Sequence, residues 1–328
     1  MIGNKSKSLV AFATLLLTNF FQCTIHAWPI IVISDFHGAE TFSFNTDTDQ
    51  PSYQNSLKTL LHIRKFYGGE VMMLPGDTQS GYWHEAKYIK KHFPNLSIAQ
   101  AVYRASINCY TTLRSLFTEA GYDKILMAVG DHELGDNGWF AGSDKANALE
   151  SFRNGFRFGF NSDQKNYRFL YGGWIGQGSS RVPTTPIGNV HEKLSHAYQH
   201  NNVMFITIDI YEQMSKTQNY LDKSTGRGGE GIVTGRIRGQ HLEWFEDVLK
   251  AANADSSVDH IIVQAHIPVK EPVRKAKSSA MSVDDGEQSG FWKMMEKYNV
   301  DLYVCGKFKN MNYERRRRRR KTTSTTTK

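Results

Sequence analysis

A layered α/β domain, with buried strands carrying helices on their outer faces, is the fold class this sequence predicts. Two observations carry that prediction. Short apolar runs without polar alternation (Pro29 to Ser34, Val71 to Leu74, Ile125 to Val129, Val203 to Ile210, His260 to Gln264 and Leu302 to Cys305) read as strands buried on both faces. Longer segments between them (Tyr53 to Phe66, Ala99 to Ala120, Gly239 to Ala252 and Gly290 to Tyr298) place apolar residues three and four apart, which is helical spacing. Strand then helix, repeated, gives a sheet with helices outside. Such folds bind their ligands at the carboxyl ends of the strands.

In chain order, residues 1–27 come first and differ from the rest. Lys5 and Lys7 precede a 13-residue apolar run, Leu9 to Phe21, and a polar stretch follows to Ala27. That order is the signature of a secretory signal peptide cut after Ala27. The run is short of the roughly 20 residues a membrane-crossing helix needs. An uncleaved anchor is the alternative, and either way the folded part is expected in a lumen or outside the cell. No other segment has the length and apolarity of a span, so the mature protein is expected to lack one. Cys109 and Cys305 then stand in an oxidising compartment, where one disulfide is possible but not demanded. Asn95-Leu96-Ser97 fits the N-glycosylation pattern and predicts an exposed position.

The first strand ends in Asp35-Phe36-His37-Gly38, a carboxylate and an imidazole able to converge on one cation if the chain turns. The second ends in Gly76-Asp77, where glycine permits a tight turn and Asp presents an oxygen ligand. After the third comes Gly130-Asp131-His132-Glu133, two carboxylates and an imidazole in one turn. The stretch from Asp136 to Asn202 is rich in Gly, Asn and aromatics and reads as irregular excursions and short strands beside the site. Its His191, His196 and His200 are expected to be surface residues. The strand His260 to Gln264 is followed by Ala265-His266-Ile267-Pro268.

Singly, each block has a plain structural explanation: a turn, a helix cap, a satisfied histidine. Jointly, four polar blocks in order, each directly after a buried-strand pattern, supply a set of oxygen and nitrogen ligands. The set resembles the calcineurin-like metallophosphoesterases, whose pattern runs Asp-x-His, Gly-Asp, Gly-Asn-His-Asp/Glu, a later His, then Gly-His-x-His. That resemblance covers residues 29 to 306. It implies a four-layer α/β/β/α sandwich of two mixed sheets with outer helices, and a phosphatase or phosphodiesterase acting on a phosphate ester, which the signal pattern makes a secreted one. It also implies two metal ions (Mn, Fe or Zn), with Asp35, His37 and Asp77 on one and Asp77, Asp131 and His266 on the other. Two such cations lower the pKa of a shared water and neutralise phosphoryl charge during in-line attack. His132 is implied to contact the phosphate or protonate the leaving group. Purple acid phosphatases carry a Tyr ligand three residues after the Gly-Asp aspartate; Ser80 stands there instead.

The chain departs from the pattern twice. Position 131 is Asp rather than Asn, which adds a negative charge and should tighten metal binding. After Gly306, Lys307-Phe308-Lys309 replaces His-x-His, and ammonium groups cannot ligate a cation. Six consecutive arginines and a Thr-rich end follow, a composition no packed core uses, which suggests a shifted frame or splice junction just after Gly306. Residues 307–328 hold ten Lys or Arg against Glu314, so of the formal +8 the remaining 306 residues carry only −1. The basicity therefore belongs to the tail, and no nucleic-acid partner is expected. The alternative to an enzyme is a binding protein that kept the fold and lost full metal ligation.

Overall fold

Residue parity along the strands separates two apolar layers, and that separation defines the architecture. The structure, a computed structural model, describes residues 28–136, 138–139, 142–161, 187, 190–211, 235–269, 283 and 285–306. The predicted signal segment, Lys307 to Lys309 and the arginine run lie outside the described residues.

The first sheet has the order β1 (Ile30–Val32), β2 (Val71–Leu74), β3 (Lys124–Met127), parallel throughout with Ile30 opposite Val71 and Val71 opposite Lys124. The second has the order β4 (His196–His200), β5 (Val203–Thr207), β6 (His260–Gln264), β7 (Leu302–Val304). There β4 runs antiparallel to β5 while β5, β6 and β7 are parallel. The expectation of two mixed sheets thus holds for the second only. The first is joined through helical crossovers, which deliver parallel strands.

Val71, Met73, Leu126, Val203, Phe205 and Ile262 form the seam between the two sheets. Their sequence neighbours Met72, Leu74, Ile125, Met204, Ile206 and Val263 belong to the larger core under the helices. Side chains alternate faces along a strand, so each central strand is buried twice, as its unbroken apolar run requires. Gln264 crosses the seam, donating to the Leu126 carbonyl (2.9 Å) and the Thr207 hydroxyl (2.8 Å).

Helices α1 (Pro51–Tyr67), α2 (Ala86–His92) and α3 (Ile98–Glu119) cover the first sheet's side of the chain. Pro51 sits in the first turn of α1, where its missing N–H has no helical partner to lose. Ser97 and Gln100 form a reciprocal capping box at the start of α3. Asn95, just before it, is exposed, as the glycosylation pattern predicts. Next come α4 (Asp144–Asn147) and α5 (Leu149–Gly159), then α6 (Gly239–Ala254) and α7 (Gly290–Lys297).

In the stretch from 136 to 202, the strand β4 agrees with the expected short strands, while the helices α4 and α5 correct the expected irregular chain; residues 162–186 lie outside the described residues. Leu149, Phe152, Phe156 and Phe160 recur at helical spacing and are buried, but Gly155 and Gly159 interrupt the pattern. A Cβ at Gly155 would collide with Ser106, and one at Gly159 would come 2.9 Å from the Tyr110 Cβ. Both glycines exist to let α5 lie on α3. His191, His196 and His200 are likewise buried, not superficial. Cys109 and Cys305 are free thiols, Cys109 buried in α3 and Cys305 at the end of β7. Among the described residues no helix is long and apolar enough to cross a membrane.

Candidate metal centre

Four strand ends converge at one place. The turn after β1 is bonded to the turn after β2: Asp35 N–H donates to the Gly76 carbonyl, His37 N–H to Asp77, and the Gly38 and Ala39 N–H groups to Thr78 (3.2–3.3 Å). Within these turns Asp35, His37 and Asp77 have left-handed backbones (φ 51°, 42° and 57°). Non-glycine residues hold that conformation only where the surroundings over-determine it, a pattern that clusters at functional sites. Gly76 is also left-handed (φ 94°), and a Cβ there would lie 2.7 Å from Gly130 N and 2.8 Å from His266 Nδ1. Only glycine lets the three turns close on one another.

The buried Glu133 carboxylate locks this arrangement. It accepts the N–H groups of Asp77 (2.8 Å), Thr78 (2.9 Å) and Gly130 (2.8 Å) and the Thr78 hydroxyl (2.9 Å). Sequence reasoning placed Glu133 in the right block without a role. Two of its partners, Asp77 and Thr78, lie more than fifty residues away, so only the fold reveals it.

His266 is fully buried, with Nδ1 2.7 Å from the Pro75 carbonyl. A carbonyl oxygen can only accept, so Nδ1 carries the hydrogen and Nε2 faces the centre. There it lies 3.1 Å from Asp77 Oδ2 and 3.1 Å from Asp131 Oδ1. Burial alone would depress this imidazole, but Asp77 and Asp131 lift it well above its ordinary value. The pocket thus calls for positive charge at one point. Two carboxylate oxygens and an imidazole nitrogen facing that point are the donor set of a divalent transition metal. The residues fit such an ion.

His37, Asp77 and His132 form one ligand-competent group and Asp77, Asp131 and His266 another, each with its donor atoms within 4.8 Å. Asp77 is common to both. Asp35 falls outside these tight groups. Its carboxylate accepts the Ser34 hydroxyl (2.6 Å), and burial raises its pKa, with His266 opposing and Asp77 adding to the rise. The histidine facing His37 is His132, ring to ring at 4.6 Å. His132 Nδ1 lies 3.0 Å from the Ser80 carbonyl, which turns Nε2 inward to 3.7 Å from Asp77 Oδ2 and 3.9 Å from Asp136 Oδ1. Ser80 itself bonds Glu40 through its hydroxyl. His191, His196 and His200 join none of these groups: His191 pairs with Asp209 and His200 with Glu70, while burial lowers His196 to about 3.

A family model described as calcineurin-like phosphoesterase matches residues 29–306. The chain belongs to the calcineurin-like phosphoesterase family. That membership accounts for the two-sheet architecture, as the sequence resemblance implied. No curated protein matches the chain. Among solved structures it is similar to a purple acid phosphatase from yellow lupin (Lupinus luteus) seeds, at 13% identity and TM-score 0.41, covering 78% of this chain and 33% of that one. The phosphoesterase chain thus spans about a third of the lupin protein's length. A dimetal phosphatase from Danio rerio is similar at 12% identity and TM-score 0.40, covering 78% of this chain and 71% of that one.

Proposed function

We propose that this phosphoesterase is a secreted hydrolase of phosphoric esters that works with two divalent metal ions. The observation that carries the reading is the position of His266 Nε2, 3.1 Å from each of two buried carboxylates. His37, Asp77, Asp131 and His266 would hold the ions, with Asp35 beside them and Asp77 shared. Bound there, the cations would supply Lewis acidity and acidify a water. Mn, Fe and Zn all suit this donor set.

The protein's own contribution is orientation and proton delivery. The Ser80 carbonyl takes the His132 Nδ1–H, so Nε2 faces the centre; burial opposes the charged ring, but Asp77, Asp131 and Asp136 outweigh it and favour the imidazolium, whose Nε2–H is the proton handed to the departing alcohol oxygen. Asp77 and Asp131 receive the positive charge the site is built around. Glu133 keeps the Asp77 and Gly130 turns at fixed separation. The reading of secretion rests on the signal-like order of residues 1–27.

The test is hydrolysis of p-nitrophenyl phosphate and its bis-ester by the purified chain with added Mn. The expected outcome is turnover that disappears on chelation and in His37→Ala. Turnover indifferent to chelation would contradict the proposal. Lys307-Phe308-Lys309, in place of His-x-His, favours one other reading, a metal-poor binding protein; near-zero metal occupancy in the presence of excess Mn or Zn is its signature.

A further inference from the structure

We propose that Tyr211 is a positioning residue for the Asp131 carboxylate, held in place by the buried ion pair of Arg153 and Asp209. The inference rests on the reading of Asp131 as a metal ligand. It starts from a departure in the sequence. The resemblance places Asn at position 131, whose amide has one oxygen and one NH2 and so two distinct ends. Asp has two equivalent oxygens and no donor. The direction of the carboxylate plane must then be fixed from outside, and the Tyr211 hydroxyl stands 3.4 Å from Asp131 Oδ1, the oxygen that also faces His266.

Tyr211 is itself over-determined. It is fully buried, its N–H donates to Asp209 Oδ1 (3.1 Å), and its carbonyl accepts from Arg153 Nη2 (2.8 Å). Asp209 Oδ2 takes Arg153 Nη1 at 2.6 Å and lies 2.9 Å from His191 Nδ1, and the Asp209 N–H donates to the Ser195 hydroxyl (2.7 Å). Trp139 packs edge-on against the Tyr211 ring at 6.0 Å, its own indole N–H bonded to the Leu134 carbonyl in the turn that carries Asp131. A buried ion pair is costly to desolvate. Here it pins the backbone turn after β5 on both sides of one side chain, and that side chain ends on Asp131. Outer partners of this kind tune metal affinity by about 10- to 100-fold.

The experiment is equilibrium dialysis of the full chain against Mn, with Tyr211→Phe, Asp131→Asn and the double variant. The expected result is two ions on the parent and about 10- to 100-fold weaker binding of one of them by Tyr211→Phe. In the Asp131→Asn background the same change should cost much less, because the carboxylate it orients is gone. Chelated Tyr211→Phe should melt within about 4 °C of the chelated parent, the loss of one hydrogen bond. A parent that binds two ions beside a Tyr211→Phe of equal affinity overturns the inference alone. Equal losses in both backgrounds do the same, since a purely structural role predicts them. A parent that binds no Mn overturns the ligand reading first and this inference with it. A readout independent of the variant's folding is the 19F resonance of 3-fluorotyrosine at position 211: it should shift on Zn addition, and an unmoved resonance in a Zn-loaded chain contradicts the proposal.

Discussion

Glu133 and His132 are adjacent in the chain and do different work. Glu133 holds three backbone N–H groups and one hydroxyl that have no water to turn to. Glu133→Ala should therefore lower stability by at least about 3 kcal/mol, since each orphaned buried donor costs about 1–3 kcal/mol; urea denaturation of the metal-free protein measures it. His132→Ala should leave the fold and the Asp77–Asp131–His266 group intact and reduce turnover by about 10²- to 10⁴-fold, the worth of a positioned proton donor. A loss confined to esters with poor leaving groups would be the clearest sign that proton delivery is the role. At this scale the sequence was informative about identity: Asp35, His37, Asp77, Asp131, His132 and His266 each follow a buried-strand run, and all reach one end of the sheets. It was silent on how they are grouped. The resemblance paired Asp35 with His37 and Asp77; the donor atoms within 4.8 Å of one another there are those of His37, Asp77 and His132. Turns with left-handed Asp and His residues set those directions, and a sequence window cannot see them.

Elements show the same division between pattern and packing. The strands Val71–Leu74 and His260–Gln264 lie where the apolar runs placed them, because burial on both faces leaves no other reading of such runs. Helix α5 was missed because glycines demanded by contact with α3 look, in one dimension, like loop residues. Gly155→Ala should accordingly destabilise by about 1–3 kcal/mol through overpacking against Ser106, although alanine is the better helix former. Ser97→Ala, removing the cap of α3, should cost about 1 kcal/mol. The pair joining α5 to the end of β5 gives a pH signature. Burial alone would raise the Asp209 carboxyl, but Arg153 and His191 outweigh it and hold it well below the usual carboxylate range. A carboxyl depressed on folding contributes stability that is complete above its unfolded value, about 3.9, and is lost as pH falls toward the folded value. Stability of the parent should thus decline below about pH 4 more steeply than that of Asp209→Asn, itself destabilised at neutral pH by about 3–5 kcal/mol.

For the whole molecule, the consequence of two sheets packed face to face is that strand ends from both meet along one edge. Asp35, His37, Asp77 and Asp131 come from the first sheet and His266 from the second, so the centre assembles only when the seam of Val71, Met73, Leu126, Phe205 and Ile262 has formed. Metal binding and folding are therefore linked, and a cation that binds the native state alone should raise the melting temperature in proportion to the logarithm of its concentration. Gly306 closes the same edge from β7, its N–H donating to the His266 carbonyl (3.0 Å). The most direct test of the two-metal centre is anomalous X-ray diffraction from Mn-soaked crystals of the protein. The account predicts two peaks about 3.5–4 Å apart on either side of Asp77, one toward His37 and one toward His266. A map with no peak within reach of Asp77 would contradict it.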